Sequence, residues 1–366
     1  MKRSAYAIVL LSVLGLVSVD AMAQRKPPGS EAGKMTASGG RRPKVVEKPE
    51  TPVENEDDDS IMVLRDIVYS TAQGKDGESI GLKLDVAFPK TTNGKPLPVV
   101  VYIHGGGYKT GSKSDGLELI KLFAQGKYFA VSIDYRLSDV APFPAAIYDC
   151  KAAIRFLRAN SKDLGIDSNR IGVFGHSAGG HLSALLAVSS NDRAFEGNLA
   201  PKSESSAVKC VVDVSGPIDF LAFNEETRKR TLAAWLGTDK ETYEKNAEAA
   251  SPLTYIDSED PPILIIHGVD DKIVPIEHAI KFNKALKEAG VKARFFVKDN
   301  SGHMINDADT LTMISHFMDK HLRGAAGAVF EDKVRNTEFG KNLMNEDSQK
   351  EPPASQPVVP VDPGDS

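Results

Sequence analysis

Short continuous apolar runs alternate with amphipathic segments along the central part of this chain, and this alternation limits the possible folds more than any other feature. Such runs are typical of parallel strands buried on both faces. They occupy residues 98–103, 129–133, 171–174, 210–214 and 263–266, with a further strand at 293–298. Helical periodicity predicts helices at 143–160, 178–190, 276–289 and 307–322. The sequence therefore predicts an α/β fold with a mostly parallel central sheet and helices on both faces.

Two segments depart from this alternation. Residues 80–88 are apolar at every second position, which predicts a strand with one buried face, and residues 63–70 are predicted to pair with it as an antiparallel edge hairpin. Residues 217–251 form a longer helical stretch that contains the only tryptophan, Trp235. We expect this stretch to form a small helical cap at the C-terminal edge of the sheet.

The two ends of the chain have a different composition. Residues 1–23 combine a basic start, an apolar stretch and the Ala21-Met22-Ala23 cleavage pattern, which predicts a signal peptide and a secreted or periplasmic protein; an uncleaved membrane anchor is the alternative. Residues 24–59 are rich in proline and acidic side chains and are predicted to be a disordered linker. The folded domain is predicted at 60–323, and residues 324–366 form a mostly disordered tail.

Composition limits the partners and cofactors that we expect. The net charge of −5 is the sum of many dispersed charges of both signs, so neither nucleic acid nor an anionic membrane surface is an expected partner. Zinc spacing and calcium-loop patterns are absent from the sequence, and we expect no metal or cofactor. The two cysteines, Cys150 and Cys210, are predicted to be buried on different elements, with a disulfide as the open alternative. The oligomeric state stays open.

Residues 175–179 carry the pattern Gly-x-Ser-x-Gly, with an apolar strand before it and a helix of small residues after it. In this context the serine lies on a sharp strand-to-helix turn, and the flanking glycines let strand and helix approach closely. The hydroxyl then projects at the helix N-terminus, where backbone N–H groups are free. Ser177 is therefore the candidate nucleophile.

A serine nucleophile needs a base, and the base needs a carboxylate that orients it. His303 follows a glycine in the loop after the last predicted strand, where an imidazole can reach the serine. Asp271 lies in the loop after strand 263–266 and precedes apolar residues that would anchor it. We favour Asp271 as the acid, with its neighbour Asp270 as the alternative.

The other histidines are predicted to have different roles. His176 is adjacent to Ser177 but is expected to point away from it, and His181 lies in the following helix. Two histidines end strands and are predicted to be scaffold residues, namely His104 and His267. Three more are predicted to lie on helix surfaces, namely His278, His316 and His321.

A buried strand ends in three glycines at 105–107, followed by Tyr108. Glycines at such a position let backbone N–H groups face a substrate oxygen, so Gly106, Gly107 and Ala178 are the candidate oxyanion donors. The alternative, a phosphate-binding loop, does not fit either known glycine pattern. Two charged residues nearby are predicted to be structural, as an ion pair or loop anchors, namely Asp134 and Arg136.

Together with the segments 134–137, 141–145 and 149–157, these motifs resemble the hormone-sensitive-lipase-like esterases of the α/β-hydrolase superfamily. Within that group the chain is most similar to the bifunctional feruloyl and acetyl-xylan esterase-like branch. The resemblance covers about 60–322 and implies an α/β-hydrolase fold, a minimal cap, an open cleft and the site assignments above. It also implies a carboxylic ester hydrolase acting on short acyl, feruloyl or acetyl esters, such as those of plant polysaccharides. Tyr108 departs from the Trp or Phe that relatives often carry.

Three alternatives stay open. A serine peptidase of the prolyl-oligopeptidase kind usually carries a propeller, for which the 59 residues before the first strand are too short. A kynurenine-formamidase-like amidase would be expected to have a different glycine loop and a cytoplasmic location. A catalytically silent binding module would be expected to have lost the serine or the histidine.

Overall fold

The computed structural model describes residues 60–325. The predicted signal peptide at 1–23, the linker at 24–59 and the tail from 326 onward lie outside the described residues. None of the helices within 60–325 is both long and apolar enough to cross a membrane.

An eight-stranded sheet forms the centre of the described part of the chain. The strands are β1 (Ile61–Gln73), β2 (Ser79–Pro89), β3 (Leu97–Ile103), β4 (Phe129–Ile133), β5 (Ile166–His176), β6 (Cys210–Val214), β7 (Ile263–Gly268) and β8 (Ala293–Lys298). Their order in the sheet is β1-β2-β4-β3-β5-β6-β7-β8. Strands β1 and β2 form the predicted antiparallel hairpin at one edge, and β2 also pairs antiparallel with β4. The remaining neighbours are parallel.

Helices cover both faces of this sheet. The α-helices are α1 (Leu117–Gln125), α2 (Ala145–Ala159), α3 (Ser161–Leu164), α4 (Ala178–Val188), α5 (Glu225–Thr227), α6 (Ala233–Leu236), α7 (Lys240–Ala250), α8 (Glu277–Glu288) and α9 (Ala308–Met318). Shorter 3₁₀ segments are Lys113–Gly116, Arg193–Phe195, Phe220–Ala222 and Pro252–Thr254, and π-helical turns are Arg228–Leu232 and Asp319–Arg323. Apolar residues of α2, α4 and α8 pack on one face of the sheet, and those of α1 and α9 on the other.

The strands alternate between these two cores. In β3, Val99 and Val101 belong to one core while Val100 and Tyr102 belong to the other, which is why the run is apolar at every position. The sequence predicted this layered α/β fold, and the structure confirms it. Helix α1 was not predicted, although Leu117, Ile120 and Ala124 have helical spacing.

The cysteines occupy different elements, as predicted. Cys150 lies on α2 and Cys210 on β6, and both are free and buried. They belong to the cores on opposite faces of the sheet, so the alternative of a disulfide is excluded.

The stretch between β6 and β7 contributes a small helical insertion. Its residue Trp235 is 1% exposed and stacks on Tyr108, with ring centroids 3.6 Å apart and planes 4° apart. The carbonyl oxygen of Trp235 accepts a hydrogen bond from the N–H of Phe143, and that of Arg230 accepts one from Lys109 Nζ. These contacts hold the insertion against the loops after β3 and after β4.

The two charged residues that were predicted to be structural act as separate loop anchors, and they do not pair with each other. Asp134 accepts a hydrogen bond from the N–H of Lys113 at 2.8 Å. Arg136 donates to both oxygens of the buried Asp149 on α2, with the shortest distance 2.6 Å. Both contacts tie the loop after β4 to neighbouring elements.

Candidate active site

Ser177 lies between β5 and α4, at the sharp turn that its motif predicts. Its backbone angles are φ 58° and ψ −120°, a conformation that L-residues rarely adopt. The N–H of Ser177 donates to the carbonyl oxygen of Val214 on β6 at 2.8 Å, which holds the strained turn. A Cβ at Gly179 would lie 2.0 Å from the carbonyl oxygen of Ile103, so only glycine lets α4 approach β3 this closely.

Three side chains that are distant in sequence form one hydrogen-bonded chain. His303 Nε2 lies 2.8 Å from Ser177 Oγ, and His303 Nδ1 lies 2.7 Å from Asp271 Oδ2. The His303 side chain is 10% exposed and the Asp271 side chain is fully buried. A carboxylate can only accept, so Nδ1 carries the proton and Nε2 presents its lone pair to the serine hydroxyl.

Asp271 is held as a carboxylate by its surroundings. Its Oδ1 accepts hydrogen bonds from the N–H groups of Ile273 and Val274, each at 2.9 Å. Burial would raise the pKa of Asp271, but hydrogen bonds from His267, His303 and the backbone hold it well below its usual range. Asp270, the alternative acid, has an exposed side chain, and its backbone N–H donates to the carbonyl oxygen of Ser301 at 2.9 Å. The structure thus brings Asp271, not Asp270, to His303.

His267 is buried next to Asp271 and contacts its carboxylate. Its Nε2 lies 2.8 Å from the carbonyl oxygen of Val274 and 3.3 Å from Asp271 Oδ2. Both partners are acceptors, so Nε2 carries the proton and donates to both. The prediction of a scaffold role is consistent with this position, and its contact with the acid was not foreseen.

The glycine loop after β3 lies beside Ser177. Gly106 has φ 110° and Gly107 has φ 61°. A Cβ at Gly106 would lie 2.2 Å from the carbonyl oxygen of Thr110, so no larger residue fits this turn. Within residues 60–325, the backbone N–H groups of Gly106, Gly107 and Ala178 donate to no backbone carbonyl, which leaves them available to a ligand.

A cleft of about 870 Å³ opens at Ser177 and His303. Its rim carries two exposed apolar side chains, Ile273 at 62% and Met304 at 69% exposure. Polar side chains also line the cleft, namely Asp115, His176 and Asn306. Other lining residues include Tyr102, Gly105, Gly106, Gly107, Phe174 and Ile314.

Two predictions about the other histidines are wrong. His278, expected on a helix surface, is 5% exposed, because the first turn of α8 packs against the loop after β6 and Nδ1 accepts from the N–H groups of Ile218 and Asp219. His176, expected to point away from the site, lines the cleft and contacts the main chain of His303. The sequence offered no signal for either contact, since both partners are distant in the chain.

The side chains of the remaining histidines do not line the cleft. His181 is buried in α4, where Nε2 lies 2.7 Å from the carbonyl oxygen of Ala250. His104 stacks on Tyr135 beneath the glycine loop. His316 on α9 and His321 on the following π-helical turn, both predicted on helix surfaces, are half-buried. Among residues 60–325, no group of three or more His, Cys, Asp or Glu side chains is arranged to hold a metal ion.

The sequence matches a known family and a curated relative. The BD-FAE family model matches residues 84–286, more than half of the chain. The esterase LipC of Mycobacterium tuberculosis is 33% identical over 216 residues, which cover 58% of this chain and 53% of that protein. The chain thus spans about half the length of this curated relative.

Solved structures are similar over larger shares of their own chains. A truncated carbohydrate esterase from gut microbiota has a TM-score of 0.64 and 27% identity, over 74% of this chain and 99% of the other. An acetyl ester-xyloside bifunctional hydrolase from Caldicellulosiruptor lactoaceticus has a TM-score of 0.55 and 27% identity, over 67% and 87% of the two chains. The chain belongs to the BD-FAE family and has the α/β-hydrolase fold.

Proposed function

We propose that this protein is a carboxylic ester hydrolase that uses Ser177 as nucleophile, His303 as general base and acid, and Asp271 as the residue that orients His303. The observation that carries the proposal is the continuous chain Ser177 Oγ, His303 Nε2, His303 Nδ1 and Asp271 Oδ2, with contacts of 2.8 and 2.7 Å. This is the geometry that acyl transfer through an activated serine requires.

In the first half of the reaction, Ser177 Oγ attacks the ester carbonyl carbon and its proton passes to His303 Nε2. The carbonyl oxygen becomes an oxyanion, which accepts hydrogen bonds from the N–H groups of Gly106, Gly107 and Ala178. The tetrahedral intermediate collapses, the bond to the leaving oxygen breaks, and His303 Nε2 donates its proton to that oxygen. The alcohol leaves and an acyl-serine remains.

In the second half, water takes the place of the alcohol. His303 accepts a proton from the water while the water oxygen attacks the acyl carbon. The proton then passes from His303 to Ser177 Oγ as the carboxylic acid product leaves. Asp271 holds the Nδ1–H tautomer and stabilises the positive charge that His303 carries between the two proton transfers. The low pKa of Asp271 keeps this countercharge present throughout.

For the substrate, we propose short acyl, acetyl or feruloyl esters such as those on plant polysaccharides. The similar solved structures support this class, since one is a carbohydrate esterase and another is an acetyl ester-xyloside bifunctional hydrolase. The cleft supports it as well, because its lining combines apolar side chains with polar groups, which suits an ester with an apolar acyl part and a hydroxyl-bearing alcohol part.

Hydrolysis of p-nitrophenyl esters of increasing acyl length, methyl ferulate and acetylated xylan tests the proposal, with Ser177→Ala as the inactive reference. We expect the highest kcat/KM on acetyl to butyryl esters or on the polysaccharide esters, and no turnover by the variant. Turnover of peptide or formamide substrates without ester cleavage would assign the site to a peptidase or amidase. Absence of turnover and of fluorophosphonate labelling would support a binding module.

A further inference from the structure

His176, the residue before Ser177, contacts three parts of the site. It is covalently joined to Ser177, its ring contacts the loop that carries His303, and its backbone packs against the glycine loop. We propose that His176 is a positioning residue of the reaction, which holds the main chain of His303 and thereby sets the imidazole in reach of the serine. This inference rests on the proposed hydrolase function.

The contact with the His303 loop is a directed hydrogen bond. His176 Nε2 lies 2.7 Å from the carbonyl oxygen of His303, and a carbonyl only accepts, so Nε2 carries the proton and donates. Two residues earlier, the carbonyl oxygen of Ser301 accepts from the N–H of Asp270. The His303 loop is therefore hydrogen-bonded to Asp270, next to the acid, through Ser301, and to His176, next to the nucleophile, through His303.

The contact with the glycine loop is steric. A Cβ at Gly105 would lie 2.8 Å from the carbonyl oxygen of His176 and 3.5 Å from His176 Nδ1. The oxyanion loop thus packs directly on the main chain and ring of His176. His176 is therefore in contact with the nucleophile, with the loop that carries the base and with the loop that carries the oxyanion donors.

The environment also favours an uncharged ring at this position. The ring centroids of His176 and His303 lie 5.0 Å apart with planes at 51°. Burial lowers the pKa of His176, and the hydrogen bond to the carbonyl oxygen of His303 offsets this only in part. A neutral His176 adds no positive charge that would oppose the imidazolium formed on His303 during the reaction.

A positioning role and a simple packing role require different properties of the side chain at position 176. Packing needs only a side chain of similar volume, which leucine supplies. Positioning needs an N–H at the place of Nε2, which the side-chain amide of glutamine supplies and leucine does not. The pair His176→Leu and His176→Gln therefore separates the two roles.

The experiment measures kcat and KM on p-nitrophenyl acetate, the rate of fluorophosphonate labelling and the thermal midpoint of the full chain. We expect His176→Leu to lower kcat roughly 10- to 100-fold with little change in KM, because a displaced general base slows chemistry more than binding. We expect labelling to slow in parallel and His176→Gln to recover most of both losses. His321→Leu, a half-buried histidine away from the cleft, serves as the control and should leave them unchanged.

The outcomes separate this inference from the proposed function. An active wild type with an inactive Ser177→Ala, but with His176→Leu as fast as wild type, would overturn only the positioning role. Equal losses in the Leu and Gln variants would also overturn it, since the N–H would then not matter. A wild-type protein that neither cleaves the ester nor reacts with the fluorophosphonate would overturn the hydrolase proposal itself.

Discussion

Asp271 and His303 are 32 residues apart in sequence, yet Asp271 Oδ2 lies 2.7 Å from His303 Nδ1. Asp270, the adjacent carboxylate, is exposed to solvent. The two aspartates therefore form a matched pair, in which one side chain orients the proposed base and the other does not.

Asp271→Asn is expected to lower kcat on p-nitrophenyl acetate by roughly 10⁴-fold, because an amide can stabilise the wrong tautomer of His303 and cannot offset its positive charge. Asp270→Asn should retain activity close to wild type. Steady-state kinetics of both variants check this. A comparable loss in both, or a loss in Asp270→Asn alone, would assign the acid differently.

Gly106→Ala is expected to lower kcat by roughly 100- to 1000-fold, the typical effect of losing one oxyanion donor. The added methyl group would meet the carbonyl of Thr110 and force the loop to move. Gly94→Ala is the control, since Gly94 has φ 80° but nothing within 4 Å of the added Cβ. Circular dichroism should show both variants folded; equal kcat values for the two would contradict a role of the loop in catalysis.

His278 is expected to make the protein less stable as the pH falls from 6.5 towards 4. Burial lowers the pKa of His278 to about 4, so between these pH values only the unfolded chain binds the proton. Its neutral form contributes stability that is fully present above pH 6.5 and lost as the pH falls through about 4, on the order of 3 kcal/mol.

Urea unfolding at pH 7, 5.5 and 4.5 measures this effect. His278→Asn places an amide oxygen near the position of Nδ1, where it can accept from the same backbone N–H groups without titrating. We expect the free energy of unfolding of the wild type to fall more between pH 7 and 4.5 than that of the variant. Parallel curves for the two proteins would show that His278 does not titrate in this range.

Trp235→Ala is expected to lower the free energy of unfolding by about 3–5 kcal/mol, because it leaves a large cavity beside Tyr108. Activity should fall as well, since Tyr108 follows the oxyanion glycines directly. Leu221→Ala, at a 43% exposed position of the same insertion, should cost little. Urea unfolding followed by circular dichroism compares them, and equal midpoints would show that the stack contributes no stability.

The N-terminal segment gives a prediction independent of the site. We propose that residues 1–23 direct export and are removed, so that the mature chain begins at Gln24. Mass spectrometry of protein from a bacterial periplasm or culture medium should find this N-terminus. A full-length chain retained in the membrane fraction would indicate an anchor instead.

The layered fold could be predicted because its signals are local. Apolar runs such as 129–133 and the alternation along 80–88 identify strands by their own periodicity, and parallel strands with helices between them allow few arrangements. The helix Leu117–Gln125 was not predicted, because an amphipathic segment of nine residues gives a weaker periodic signal than the longer helices.

The sequence by itself determined the strand and helix order, the turn at Ser177 and the glycine loop, because each depends on neighbouring residues. The tertiary structure decided which aspartate meets His303, that His278 is buried, and that His176 contacts the His303 loop. These contacts join residues between 32 and 127 positions apart. They arise only when the sheet brings the ends of β5, β6, β7 and β8 to one edge, and no local pattern in the chain records which side chains then meet.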